Sequence, residues 1–252
     1  MSTSVSFHNR RSQRLCGELH GTLGKVAAIT CHGMLSTKDG TKHRLLAREL
    51  EARGVPLLRF DFAGRGESEG SLLELSYSHQ VEDLEAALDY LVASGVERVG
   101  LFGSSMGGTV ALLTAARSER VVAIATLAAV AHPSAIFERY PAELARWRTR
   151  GTLETEAGEV GLEYLDDARR HDVIASTAAL LAPLLVIHGE RDELVPSSDA
   201  HDIAAAARNV SLEIVLGADH RFSDAQLLRP AMRRVAAFLA AHLGLASMQG
   251  VD

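Results

Sequence analysis

The hexapeptide Gly103-Ser104-Ser105-Met106-Gly107-Gly108 follows an apolar run at residues 98–102 and begins a helical pattern at residues 105–117. This is the pattern G-x-S-x-G between a strand and a helix, a context in which a serine side chain projects from a sharp turn. Glycines suit such a turn because the strand and helix backbones approach each other closely. The sequence therefore predicts that Ser105 is a nucleophile at a helix N-terminus, where the N–H of Met106 faces a developing oxyanion.

Short apolar runs rich in valine, isoleucine and leucine recur on both sides of this turn. Helical patterns of a dozen or more residues separate most of them, which is typical of a mainly parallel sheet covered by helices on both faces. The predicted strands are residues 26–30, 55–62, 98–102, 121–129, 183–187 and 211–216. The predicted helices are residues 41–53, 77–94, 105–117, 197–208 and 230–243, with Pro230 opening the last. Two polar-alternating stretches, residues 2–7 and 14–19, predict antiparallel strands at the start of the sheet.

One connection is longer than a plain crossover needs. About fifty residues separate the predicted strands 121–129 and 183–187. We expect a short lid inserted at about residues 131–178 in a single domain that spans residues 1–252. Within it, residues 151–155 and 158–162 predict a small hairpin and residues 165–171 a short helix. The lid carries four aromatic residues that we expect to bind substrate, although some must hold the lid to the body. These are Phe137, Tyr140, Trp147 and Tyr164.

A serine nucleophile requires a base, and the base requires a carboxylate that orients it. Asp192 follows the predicted strand 183–187, and His220 follows the predicted strand 211–216. Both residues, like Ser105, therefore lie at the carboxyl ends of strands, where open α/β sheets bind ligands. We predict that Asp192 is the acid and His220 the base. The alternative acids are Glu190, Glu193 and Asp219.

A second oxyanion donor is expected in the loop after the first parallel strand. That loop begins Cys31-His32-Gly33-Met34. Gly33 allows the backbone to turn into the site, so that the N–H of Met34 faces the N–H of Met106 across the oxyanion. We expect His32 to brace the loop by hydrogen bonds and Cys31 to fill the core as a small apolar residue.

The composition and charge of the chain argue against several classes of binding partner. The chain has 252 residues, with 26 Lys and Arg against 32 Asp and Glu and a net charge of −6. The charges form no basic stripe for nucleic acid, and no apolar run approaches the roughly 18 residues of a membrane span. Two cysteines make neither a disulfide framework nor a cysteine-based zinc site. We expect a cytoplasmic protein with a small-molecule ester substrate, no metal or organic cofactor, and no nucleic-acid or membrane partner; a homodimer is left open.

These motifs together resemble the α/β-hydrolase superfamily over nearly the whole chain, and within it the serine aminopeptidase-like and cinnamoyl-esterase-like group. The resemblance includes the elbow 103–108, His32-Gly33, the late Asp192 and His220, and residues 61–68, which match D-x-x-G-x-G-x-S. It implies the α/β-hydrolase fold and a structural role for residues 61–68. Ser104 stands where many relatives have His. Ser105 stands where haloalkane dehalogenases need Asp, which excludes that branch.

The resemblance also implies an activity. We expect a serine hydrolase that cleaves a carboxylic ester of a small to medium, apolar or aromatic acyl group through an acyl-enzyme. The same three side chains serve acyl transfer, thioester hydrolysis and peptide hydrolysis, so these alternatives stay open. A ligand-binding protein without turnover is the alternative from another class, and the complete set of Ser, Asp and His argues against it.

Overall fold

A computed structural model describes residues 2–244 and is built around an eight-stranded sheet. The strands of this sheet are β1 Ser2–His8, β2 Arg14–His20, β3 Val26–Cys31, β4 Leu57–Phe60, β5 Arg98–Ser104, β6 Val121–Leu127, β9 Leu184–Gly189 and β10 Val210–Val215. A separate two-stranded sheet is formed by β7 Thr152–Thr155 and β8 Gly158–Gly161. The helices are α1 Thr41–Glu51, α2 Tyr77–Ala93, α3 Met106–Ala115, α4 Pro141–Arg150, α5 Glu163–Ala168, α6 Val173–Ala178, α7 Ser197–Ala206 and α8 Ala225–Leu243.

The sheet order is β1-β2-β4-β3-β5-β6-β9-β10. Strands β1 and β2 pair antiparallel, β2 pairs antiparallel with β4, and all later neighbours are parallel. This arrangement confirms the predicted α/β class, with a mainly parallel sheet opened by antiparallel strands. Strand β9 is buried along its whole length, as its run of apolar residues predicts.

The core consists of two apolar layers, one on each face of the sheet. Helices α1 and α8 pack together on one face, where Leu46 and Leu239 are fully buried. Helices α2 and α3 pack on the other face, where Leu84 and Val110 are fully buried. The predicted helical cover on both faces is confirmed. Within residues 2–244, no helix combines the length and apolar character needed to cross a membrane.

Two predicted helix starts are wrong. Helix α8 begins at Ala225 and not at Pro230, because the Asp224 carboxylate accepts a hydrogen bond from the N–H of Gln226 and caps the helix five residues before the expected position. Pro230 lies inside the helix. Helix α3 begins at Met106, because Ser105 has a φ of 54° and lies outside the helix.

The segment between β6 and β9 holds more structure than the sequence predicts. The predicted hairpin is present as β7 and β8, which pair antiparallel. Helix α4 was not predicted, because only Trp147 of its ten residues is buried and its apolar periodicity is weak. The short helix predicted at residues 165–171 is present as α5, which begins two residues earlier and ends at Ala168, and the separate helix α6 was not predicted. Helix α6 packs against α3 and α7 of the main body.

A buried carboxylate anchors this segment to the body. Asp167 on α5 accepts hydrogen bonds from the backbone N–H and the hydroxyl of Ser78, at 3.0 and 2.5 Å, and its Oδ2 lies 3.3 Å from Nε2 of His171. Burial opposes ionisation of Asp167, but the hydrogen bonds from His171 and Ser78 outweigh it and lower its pKa to about 2. The ionised carboxylate therefore stabilises the folded state.

Replacement of Asp167 by Asn is expected to lower the free energy of unfolding by about 1–3 kcal/mol at pH 7. Because the folded-state pKa lies below the unfolded value, this stabilisation is complete above the unfolded pKa of about 3.9 and is lost as the pH falls towards 2. Urea unfolding of both proteins at pH 7, 4 and 3 measures the difference. A difference that stays constant down to pH 3 contradicts the assigned role.

The loop after β4 is held by a buried ion pair. The side chain of Asp61 is fully buried, and its carboxylate lies 2.9 Å from Nζ of Lys38. It also accepts hydrogen bonds from the backbone N–H groups of Lys38 and Glu67, at 2.7 and 3.1 Å. These contacts join the loops after β3 and β4, which fits the structural role expected for residues 61–68.

Replacement of Asp61 by Asn is expected to lower the free energy of unfolding by about 3–5 kcal/mol, because it removes the one buried carboxylate that pairs with the Lys38 ammonium and leaves only the exposed carboxylates of Asp39 and Glu67. Glu67 also contacts Lys38, but its side chain is 72% exposed. Glu67→Gln is therefore the matched control, with an expected loss of at most about 1 kcal/mol. Urea denaturation of the two variants tests the difference; equal losses would refute it.

Candidate active site

Ser105 occupies the sharp turn between β5 and α3. Its φ of 54° and ψ of −126° are strained for a residue with a side chain. A Cβ atom on Gly103 would lie 2.2 Å from the carbonyl oxygen of Gly107, and one on Gly107 would lie 2.3 Å from the carbonyl oxygen of Cys31. The two glycines therefore permit the close approach of strand, helix and β3 that places Ser105 at the carboxyl edge of the sheet, where it is partly exposed.

The structure brings the three predicted side chains into a hydrogen-bonded chain. Nε2 of His220 lies 3.1 Å from Oγ of Ser105, and Nδ1 of His220 lies 2.8 Å from Oδ2 of Asp192. A carboxylate only accepts hydrogen bonds, so Nδ1 of the neutral imidazole carries the proton. The lone pair of Nε2 then faces the hydroxyl of Ser105, which is the arrangement that proton abstraction requires.

The Asp192 carboxylate is fully buried and well supplied with donors. Its Oδ1 accepts the backbone N–H groups of Leu194 and Val195, at 3.0 and 2.8 Å. Its Oδ2 accepts from His220 and lies 3.1 Å from Nε2 of His188. Burial opposes ionisation of Asp192, but the hydrogen bonds from His188, His220 and Val195 outweigh it and hold its pKa well below the ordinary value. Asp192 is therefore a stable carboxylate.

The three alternative acids have other partners. Glu190 accepts the backbone N–H of Gly217, Glu193 accepts the backbone N–H of His220 at 3.3 Å, and Asp219 accepts the backbone N–H of Ser223. Among the described residues, Asp192 alone contacts Nδ1 of His220. The geometry therefore favours Asp192 over the three alternatives.

Two backbone N–H groups beside Ser105 have no protein acceptor within residues 2–244. They belong to Met34, in the loop after β3, and to Met106, the first residue of α3. A Cβ on Gly33 would lie 3.4 Å from Cβ of Ser105 and 4.0 Å from its Oγ, so the loop passes directly against the serine. Both predicted oxyanion donors are thus adjacent to Ser105 in the chain or in space.

Two side chains hold the loop that carries Met34. His32 contacts the carbonyl oxygen of Gly33 through Nδ1 and accepts the N–H of Phe62 at Nε2. This is the bracing role predicted for His32, and burial lowers its pKa to about 4, which favours the neutral ring. Arg65 donates to the carbonyl oxygens of Leu35 and Ser36, at 3.0 and 3.1 Å. The sequence placed Arg65 in a structural loop without indicating this contact.

Lys42 was also missed by the sequence analysis. It lies on α1, and its Nζ donates to Oγ of Ser104 at 3.0 Å. Burial lowers the pKa of Lys42 to about 8, although Asp192 and Asp219 act in the opposite direction. A positive charge therefore lies next to the residue that precedes the nucleophile.

Three of the four aromatic residues predicted to bind substrate pack against one another in the segment between β6 and β9. The rings of Trp147 and Tyr164 are 1% and 2% exposed and stack at 5.7 Å, and Phe137 lies edge-on to both. The hydroxyl of Tyr164 donates to that of Tyr77 on α2, at 3.3 Å. Tyr164 therefore connects the segment between β6 and β9 to α2, a packing role that the sequence analysis expected for some of the four. Phe137 and Tyr140 are partly exposed.

A cleft of about 510 Å³ lies between the segment that joins β6 to β9 and the loops of the site. Helix α4 and strand β7 line one side, and the buried Trp147 lies at its base. Leu35 and Arg221 line the other side. Leu35 follows Met34 in the chain, and Arg221 follows His220. The cleft therefore adjoins the proposed oxyanion and base loops. Within the described chain, no group of three or more His, Cys, Asp or Glu side chains is placed to bind a metal ion.

Comparison with known families is consistent with this geometry. The family model described as serine aminopeptidase, S33 matches residues 25–157, just over half of the chain and including the turn at Ser105. This chain belongs to the S33 serine aminopeptidase family. Its fold is that of the α/β hydrolases, as the sequence resemblance implied. Asp192 and His220 lie beyond the matched residues, so their placement in this S33 protein rests on the geometry above.

The relatives of this S33 protein include a thioesterase. The S33 protein is 29% identical over 248 residues to human palmitoyl-protein thioesterase ABHD10, mitochondrial, and the alignment covers 90% of this chain and 78% of the relative. It is 30% identical over 232 residues to the uncharacterized protein YfhR of Salmonella typhi, covering 85% and 68%.

Solved structures share the fold. Est1E from Butyrivibrio proteoclasticus, solved with bound ferulic acid, superposes with a TM-score of 0.82 at 20% identity over 95% of this chain and 99% of that chain. Alpha/beta hydrolase domain-containing protein 10 from mouse superposes with a TM-score of 0.79 at 20% identity, over 92% and 96%. At this identity the likeness concerns the fold alone.

Proposed function

We propose that this S33 protein hydrolyses carboxylic esters through an acyl-enzyme formed on Ser105. The observation that carries the proposal is the continuous chain of contacts from Ser105 Oγ to His220 and from His220 to Asp192, at 3.1 and 2.8 Å. A partly exposed serine with a histidine base and a buried, ionised carboxylate is the constellation of nucleophilic acyl chemistry.

The reaction follows from the positions of these groups. Ser105 Oγ attacks the carbonyl carbon while Nε2 of His220 takes its proton, and Asp192 stabilises the resulting imidazolium. The N–H groups of Met34 and Met106 donate to the oxyanion of the tetrahedral intermediate. His220 then returns the proton to the departing alcohol. A water molecule, deprotonated by His220, attacks the acyl-enzyme, and the acid leaves as Ser105 regains its proton.

The cleft beneath the lid is the proposed acyl site. Its volume of about 510 Å³ suits a small to medium group. Leu35 and Leu153, both partly exposed, supply apolar surface to the cleft, whereas its other lining residues on α4 and β7 are largely charged or polar. An apolar or aromatic acyl group of moderate length fits this distribution, with its apolar part against the two leucines.

Thioester hydrolysis is the second candidate. The observation that favours it is the 29% identity to palmitoyl-protein thioesterase ABHD10 over most of both chains. The same nucleophile, base and oxyanion donors serve oxygen esters and thioesters, since the two substrates differ only in the leaving atom. Peptide hydrolysis and acyl transfer use the same groups as well, so the acceptor and leaving group decide between these activities.

A paired substrate series tests the proposal. Purified protein is labelled with a fluorophosphonate and assayed on p-nitrophenyl esters and acyl-coenzyme A thioesters of matched acyl length. We expect labelling of Ser105 and a higher kcat/KM on the oxygen esters, whereas a higher kcat/KM on the thioesters favours the second candidate. A protein that folds but neither labels nor turns over any substrate is a ligand-binding member of the fold. The cytoplasmic location stays a prediction from composition.

A further inference from the structure

His188 contacts the same oxygen of the Asp192 carboxylate as the proposed base. It is the fifth residue of β9 and lies four positions before Asp192. Its side chain is fully buried, and its Nε2 lies 3.1 Å from Oδ2 of Asp192 and 3.0 Å from the carbonyl oxygen of Val195. A carboxylate and a carbonyl oxygen are both acceptors, so Nε2 carries the proton. Its N–H donates to the carbonyl oxygen of Val195, and Oδ2 of Asp192 lies within ion-pair distance of the same nitrogen.

The other ring nitrogen of His188, Nδ1, does not explain why a histidine occupies this position. Nδ1 of His188 is buried and has no hydrogen-bond partner within residues 2–244. An unpaired buried acceptor is unfavourable, so an apolar side chain of similar size would serve the core better at this position. The contact of Nε2 with Asp192 and Val195 is therefore the polar interaction that this side chain supplies.

The contact completes the set of donors to Asp192. Two backbone N–H groups hold Oδ1, whereas the contacts of Oδ2 are made by the side chains of His220 and His188. His188 is fixed by β9, which pairs with β6 on one side and β10 on the other. The Oδ2 atom is thereby held where Nδ1 of His220 reaches it, at 2.8 Å.

We propose that His188 is a positioning residue for the reaction at Ser105, acting through Asp192. This inference rests on the proposed function. The N–H of His188 fixes the plane of the carboxylate, and it draws negative charge from the oxygen that pairs with His220. Without this donor, Oδ2 turns more freely and carries more charge, so its interaction with the imidazole of His220 changes.

Other charged groups surround the pair and stay unchanged in the test. Lys42 on α1 interacts electrostatically with Asp192, and Asp199 on α7 interacts with His188. Asp219 and Arg221 are the chain neighbours of His220, and Glu193 accepts the backbone N–H of His220. Because none of these is altered by substitution of His188, a shift in the pH profile reports the lost donor.

The test compares two substitutions that differ in the donor. His188→Gln keeps an N–H near the position of Nε2, whereas His188→Met has a similar size and no donor. His43→Met is the matched control, because His43 is a buried histidine on α1 whose ring contacts Phe102 and none of the three reacting side chains. The readouts are kcat and KM for p-nitrophenyl acetate from pH 5 to 9, with urea stability measured for each variant.

We expect His188→Met to lower kcat about tenfold, to change KM less than about twofold, and to move the acid limb of the pH profile to higher pH. His188→Gln is expected to recover most of the kcat and the position of the limb, and His43→Met to retain both. If Gln performs no better than Met at equal stability, or if His188→Met leaves both kcat and the limb unchanged, the inference is wrong.

Imidazole ¹⁵N NMR gives a second measurement that needs no substrate. In the wild-type protein, His188 is expected to show its proton on Nε2, and this resonance should shift in Asp192→Asn. A wild-type His188 with its proton on Nδ1 overturns the inference even if the esterase activity is real. Inactivity of the wild-type protein on all esters and thioesters, with the expected ¹⁵N pattern, contradicts the proposed function instead.

Discussion

Ser105→Ala is expected to lower kcat/KM for ester hydrolysis by roughly a thousandfold or more, which is the scale of removing the nucleophile from a Ser-His-Asp constellation. Among residues 2–244, the Ser105 hydroxyl makes one hydrogen bond, to Nε2 of His220. Its loss leaves the oxyanion donors and the cleft in place but removes the atom that forms the acyl-enzyme. The assay is initial-rate hydrolysis of p-nitrophenyl acetate by purified protein.

The fold is expected to survive this change. Alanine keeps the Cβ atom, so the backbone strain at a φ of 54° is the same in both proteins. Fluorophosphonate labelling should disappear, while the midpoint of urea unfolding stays close to that of the wild type. Near-normal ester hydrolysis by purified, folded Ser105→Ala protein contradicts the role proposed for Ser105.

Asp192→Asn is expected to have the largest effect among the residues that do not bond to substrate, with a loss of about 10³–10⁴-fold in kcat. The amide oxygen of Asn can still accept the N–H groups of Leu194 and Val195. Its NH₂ group then faces Nδ1 of His220, where the carboxylate oxygen lay at 2.8 Å. Because two donors cannot pair, the imidazole moves its proton to Nε2 and no longer accepts the proton of Ser105.

The matched control for this substitution is Glu193→Gln. Glu193 follows Asp192 in the chain and accepts the backbone N–H of His220, at 3.3 Å, without touching the ring. We expect the kcat of Glu193→Gln to stay within about threefold of the wild type, since a neutral amide oxygen replaces one exposed carboxylate oxygen as the acceptor. Equal losses in the two variants would mean that Asp192 does not orient His220.

The sequence predicted the fold well where local chemistry and burial agree. Continuous apolar runs are buried on both faces of a parallel sheet, and β3, β5 and β9 lie where those runs predicted them. The turn at Ser105 was predicted because glycines and serine are required there for steric reasons. Asp192 and His220 were placed by the rule that ligands bind at the carboxyl ends of strands.

The remaining features depend on contacts between distant segments. Helix α4 has one buried residue in ten, so its sequence carries little periodicity, and it is stabilised by the packing of Trp147 against Phe137 and Tyr164. Arg65 reaches the carbonyl oxygens of Leu35 and Ser36 across about thirty positions in the chain. A single sequence gives no signal for such pairs.

His188 is an intermediate case. Its position at the carboxyl end of β9, four residues before Asp192, was visible in the sequence. A histidine in a buried strand is most simply explained as a core residue, and the direction of its Nε2 towards Asp192 is set by the turn that follows β9. The turn brings the carboxylate back over the strand, and that geometry is a property of the folded chain.

The backbone conformation at Ser105 puts stability and activity in opposition at one position. At a φ of 54° and a ψ of −126° every residue with a Cβ costs folding free energy, about 1–3 kcal/mol, whereas glycine adopts this region freely. Selection of randomised variants for heat resistance alone should therefore enrich glycine at position 105, and selection for turnover should retain serine. Serine at this turn therefore lowers the thermal stability of the protein while it supplies the hydroxyl group that turnover requires.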